Sequence, residues 1–112
     1  MKLIKTTASL FRPIGDDRFN ENLEVSRYRA LNFIVGSPFS EDLEVLEWIF
    51  AATNAPTNFL DEEQQFIFKA FYEAKEYSLS VGDVIQLGEN FYLCKNVGWE
   101  KIENYQSTVD LD

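Results

Sequence analysis

The sequence predicts an α+β fold: an N-terminal strand pair, two central helices and a C-terminal three-stranded antiparallel meander. Three observations carry that prediction. Apolar residues alternate with period two before Gly36, recur at helical spacing between Ser40 and Ala74, and fall into short runs separated by Asn/Gly turns after Ser78. At 112 residues there is room for one hydrophobic core. A single domain is therefore expected over 1–104, with 105–112 as a frayed acidic tail whose aliphatics are Val109 and Leu111.

From Lys2 to Phe11, Ile4, Thr6, Ala8 and Leu10 fall on one side of a strand, with Thr7 and Phe11 among the residues of the other. The polar stretch from Gly15 to Asn22 reads as a loop. A second strand, Tyr28 to Val35, alternates Leu31, Phe33 and Val35 and is closed by Gly36 and Pro38. Ser40 is the expected N-cap of the first helix, with Glu41 and Asp42 at the positive end of its dipole. Its inward stripe is Leu43, Leu46, Ile49 and Phe50, so Glu41, Glu44 and Glu47 project from another face, and Asn54 to Thr57 ends it. Asp61 with Gln64 forms a capping-box pair opening a second helix, with Glu62 and Glu63 in its first turn and Ile67, Ala70, Phe71 and Ala74 facing the core. Phe68 and Tyr72, four apart on a neighbouring face, either close the core's edge or meet a partner. Ser80 to Leu87, Phe91 to Lys95 and Val97 to Ile102 supply the meander, turned at Gly88-Glu89-Asn90 and at Asn96 to Gly98.

Charge and composition remove most chemistries. There is no His, and Cys94 is the lone cysteine, expected inside its strand, so the usual general base, a disulfide and a multi-Cys zinc site are all absent from the sequence. The five glycines stand singly, which excludes a Gly-rich phosphate loop, and adjacent carboxylates such as Glu62 and Glu63 point in different directions on a helix. No catalytic residue, metal site or cofactor is expected. No apolar run approaches the ~20 residues of a membrane span, and no secretory apolar region follows Lys2 and Lys5, so a cytoplasmic location without membrane contact is the expectation. The formal charge is -9, and between Arg29 and Lys69 the chain carries seven acids and no base. Such a field repels phosphate, so direct nucleic-acid binding is disfavoured.

The run Ser78-Leu79-Ser80-Val81-Gly82-Asp83-Val84-Ile85, the strand Phe91-Tyr92-Leu93-Cys94 and the closing Gly98-Trp99 give the last third a distinct signature. Over residues 61 to 103 it resembles the YodL-like family of small bacterial, plasmid and phage-borne proteins, with Trp99 where that pattern has Phe. The resemblance implies a mobile-element setting and no enzymatic activity. Physically, Ser78, Ser80 and Asp83 can bond the backbone of the helix-to-strand corner, while Val81 and Val84 pack inward.

The expected function is non-enzymatic binding to a host protein with a basic surface, as an acidic inhibitor of a nucleic-acid-handling or defence system. Its expected partner-binding residues are Glu41, Glu44, Glu47, Asp61, Glu62, Glu63, Phe68 and Tyr72. Two alternatives come from other classes. One is a small-barrel binder of single-stranded nucleic acid, in which Tyr92 and Trp99 stack bases and N-terminal arginines hold phosphate. The other is an accessory subunit of a host enzyme.

Overall fold

The structure is a computed structural model that describes residues 3–103 and Tyr105. In chain order it contains β1 (Ile4–Pro13), β2 (Arg27–Ser37), α1 (Asp42–Asn54), α2 (Glu62–Glu73), β3 (Val84–Leu87), β4 (Asn90–Cys94) and β5 (Trp99–Ile102). Single 3-10 turns lie at Gly15–Asp17 and Thr57–Phe59. The α+β architecture is the one expected: a strand pair, two helices, then a meander. All five strands form one antiparallel sheet in the order β2-β1-β3-β4-β5. The join between strand pair and meander is made by β1, where Ala8, Ser9, Leu10 and Phe11 face Leu87, Gln86, Ile85 and Val84. Leu10 and Phe11 are both buried although they point to opposite faces. Burial on both sides is the signature of an inner strand rather than an edge.

Contacts group the chain into two compact units: the residues up to Thr7 with Phe33–Leu79, and Ala8–Asn32 with the chain from Ser80 onward.

In the first unit α1 starts after Glu41, an extended residue with φ -86° and ψ 132° whose side chain makes no capping bond. Ser40 is therefore not the cap. The serine that serves local backbone is Ser37, whose Oγ accepts from the Phe39 N–H at 3.2 Å. The buried stripe of α1 is Val45, Leu46, Ile49 and Ala52, and Leu43 is 57% exposed. This corrects the expected stripe: a helix as apolar as this one offers two adjacent faces of nearly equal hydrophobicity, and packing selected the one carrying Val45 and Ala52. The capping box of α2 is present as expected, with Asp61 N–H donating to Gln64 Oε1 at 3.2 Å. Ile67 and Phe71 face inward, with Phe71 edge-on to Phe33 at 5.3 Å between ring centroids. Ala74 is exposed and the third buried side chain is Gln64, whose amide donates to the Trp48 carbonyl at 3.2 Å.

The second unit has a core of Phe11, Val84 and Leu93, closed over by Leu23, Phe91, Ile102 and Tyr105. Leu93 (2% exposed) lies beneath that cover, and its neighbour Cys94 (3%), on the opposite face of the strand, is buried as expected. Tyr105, expected to lie in the frayed tail, packs against Phe91 and Phe11 at 5.4 and 5.9 Å between centroids. The rest of that tail, like Lys2 at the start of the first expected strand, lies outside the described residues. Gly88 has φ 58° at the first position of a two-residue hairpin between Leu87 and Asn90, a role a side chain would strain. Gly82 is more constrained. Its φ is 93°, and a Cβ there would lie 2.8 Å from the Asn20 carbonyl oxygen.

Candidate functional site

Two polar constellations stand out in the second unit, and both are interior. Arg12 and Arg27 are fully buried. Arg12 Nη2 meets Asp83 Oδ2 at 3.1 Å, and the other role of that carboxylate is to accept the Ser80 N–H at 2.8 Å, fixing the corner that the sequence marked. Burial pushes the Asp83 carboxyl up to about 6, against the pull of Arg12 and the Ser80 N–H. Arg27 spreads its guanidinium over backbone carbonyls: Nε donates to Gly82 O at 2.9 Å, Nη1 to Asn22 O at 3.2 Å and Nη2 to Asn20 O at 2.9 Å. Desolvation lowers Arg27 from its ordinary value, opposed by Tyr105, while burial raises Tyr105. These side chains clamp the loop before β2 to the Gly82 turn, and none of them presents charge to a ligand. The phosphate-holding role considered for the N-terminal arginines therefore has no surface at Arg12 or Arg27. Tyr92, at 6% exposure, has no free ring face for a base.

The accessible site lies in the first unit, along α1. Leu43, Glu44, Glu47, Trp48 and Ala51 stand at i, i+1, i+4, i+5 and i+8, one continuous face of the helix. With Phe39 from the preceding loop and Gln64 from α2 they line an open cleft of about 470 Å³. Its floor is held rigidly. Trp48 Nε1 donates to the Gly36 carbonyl at 2.9 Å, and Phe39 stands edge-on to the indole at 5.7 Å between centroids. The indole is thus fixed by its polar end with its apolar body turned to the cleft. Glu44 and Glu47 are exposed and supply the charge around it.

The other expected partner-binding residues are distributed elsewhere. Glu41 is exposed just before α1. Asp61 is spent on the capping box. Glu63 lies against Gly36, close enough that a Cβ there would meet its Oε2 at 2.7 Å. Glu62 and Phe68 line a smaller hollow of about 370 Å³ with Thr57, Gln65, Phe66 and Lys69. Phe68 is half-buried and stacks on Tyr72 at 6.2 Å, and Tyr72 is 73% exposed. So the structure brings Glu44 and Glu47 to one cleft and does not gather all six acids into one array. Sequence reasoning missed Phe39, Leu43 and Trp48. Periodicity alone places Leu43 inward with the apolar stripe, and no local signal shows that Phe39 folds back over an indole nine residues on.

Among the described residues no group of three or more His, Cys, Asp or Glu is placed to hold a metal ion. No described helix is long and apolar enough to cross a membrane. No family model, curated protein or solved structure matches the chain.

Proposed function

We propose that this protein acts as a non-enzymatic binding protein that docks a basic segment of another protein in the cleft along α1. The observation that carries this reading is the pairing of an apolar floor, Phe39, Leu43 and Trp48, with the carboxylates of Glu44 and Glu47 on the same open face. The exposed Leu43 next to a fixed indole supplies the desolvated centre of an interface, and flanking charge supplies orientation and partner choice. A solvated acidic face needs no such floor. The complementary surface is an apolar anchor flanked by Lys or Arg. Inhibition of a host nucleic-acid-handling or defence system, on behalf of a mobile element, is the finer form of the proposal. It is supported by the -9 charge and by the likeness of residues 61 to 103 to YodL-like proteins.

The test compares the natural chain with Glu44→Lys/Glu47→Lys as baits in a host lysate, with circular dichroism confirming that both are folded. Both positions are exposed, so the fold should survive. Basic proteins retained by the natural chain and lost by the reversed one are the expected result. Equal retention by both baits would remove the cleft from the proposal.

A further inference from the structure

Resting on the proposed docking cleft, we infer that its occupant is a short amphipathic helix of a partner, with large aliphatic or aromatic anchors on one face and Lys or Arg beside them. Three features point to a helix rather than an extended peptide. The lining residues Leu43 to Ala51 follow the axis of α1 for eight positions, or about 12 Å, so the cleft is shaped for an element lying along a helix for about two turns. The wall is a helix whose interior backbone groups bond one another, so it offers no main-chain ladder to an extended strand. A helical ligand brings its own backbone already paired. Ala51 is the small side chain in the stripe, and small residues let two helix axes approach closely.

Charge decides which helix. A second copy of this chain is a poor occupant: α1 carries Asp42, Glu44 and Glu47 with no base, and α2 carries one, Lys69. Lysines flanking the anchors of a partner helix can instead lay their stems along Leu43 and Trp48 and reach Glu44 and Glu47 with their ammonium groups.

The experiment uses Trp48 emission in a Trp99→Phe chain, with calorimetry on the natural chain as the second readout in case that variant does not fold. Three 14-residue probes are titrated at about 0.15 M salt, where surface charge is partly screened. One is a helical Leu/Lys peptide, one is the same peptide with proline replacing a central residue, and one is helical with Glu replacing Lys. The first is expected to blue-shift the emission and to bind at least tenfold more tightly than the other two. Leu43→Asp, a change at an exposed position, should weaken it at least tenfold with the fold intact. Equal binding of the first two probes overturns the helical occupant while leaving the basic docking cleft in place. Binding of none of the three overturns both readings. Unaltered binding to Leu43→Asp shows that the peptide sits elsewhere and also overturns the inference.

Discussion

Asp83 and Arg12 are 71 positions apart in the chain, yet their side chains meet at 3.1 Å with almost no solvent access. Removing one partner strands the other as a buried charge, which typically costs about 3–5 kcal/mol, while replacing both by apolar groups costs far less. Urea denaturation should therefore find Asp83→Ala more damaging than the double variant Arg12→Leu/Asp83→Leu. The raised Asp83 pKa has a defined sign in stability. The folded state holds the proton more tightly than the unfolded chain. This contribution is therefore fully present below about pH 4 and is lost as pH rises through about 6. It amounts to at most about 3 kcal/mol. In Asp83→Asn the fall in Tm between pH 4 and 7 should be shallower than in the natural chain, and superimposable profiles would place the titration elsewhere. The carboxylate's service to the Ser80 corner was legible in the sequence, because it spans three residues. Its cation was not, because only the pairing of β1 with β3 brings Arg12 there.

Helix starts show the same contrast between local and distant causes. The capping box of α2 is written in four residues, Asp61 to Gln64, and forms as written. At α1 the apparent cap Ser40 is displaced because the chain leaves β2 through a Ser37–Phe39 turn and enters the helix at Glu41. Asp61→Ala should thus cost about 0.5–2 kcal/mol in chemical denaturation, and Ser40→Ala should be nearly neutral. A loss from Ser40→Ala as large as that from Asp61→Ala would contradict the cap geometry. The existence and length of α1 were legible, but its rotation was not. Leu43 and Val45 are equally apolar to a periodicity argument, and the choice between them decided whether Leu43 joined the core or the cleft.

Charge acts across the full chain rather than at any one contact. With -9 overall and a base-free stretch covering α1, the protein should attract a basic partner over several ångströms and be sensitive to screening. Neutralising Glu41, Glu44, Glu47, Asp61, Glu62 and Glu63 to Gln or Asn should slow association and flatten its salt dependence, with a smaller effect on dissociation. Stopped-flow mixing with the helical Leu/Lys peptide at about 0.05 and 0.3 M salt reads this directly. Identical salt slopes for the two chains would show that these acids only solubilise. Asp61→Asn is conservative here, since asparagine also caps helices.

Composition, hydrophobic period and turn chemistry fixed in advance the α+β class, the order of its elements and the acidity of its exposed surface. Each depends on neighbours within a few positions along the chain, or on a sum over all of them. Three features depended on residues distant in sequence: the inner place of β1 between β2 and β3, the burial of Arg12 and Arg27, and the cleft of Phe39, Leu43 and Trp48. A buried charge is tolerated only where a partner or several carbonyls converge on it, and an apolar side chain becomes a docking surface only when packing leaves it uncovered. Neither condition can be read from local spacing, because both are set by which segments the folded chain brings side by side.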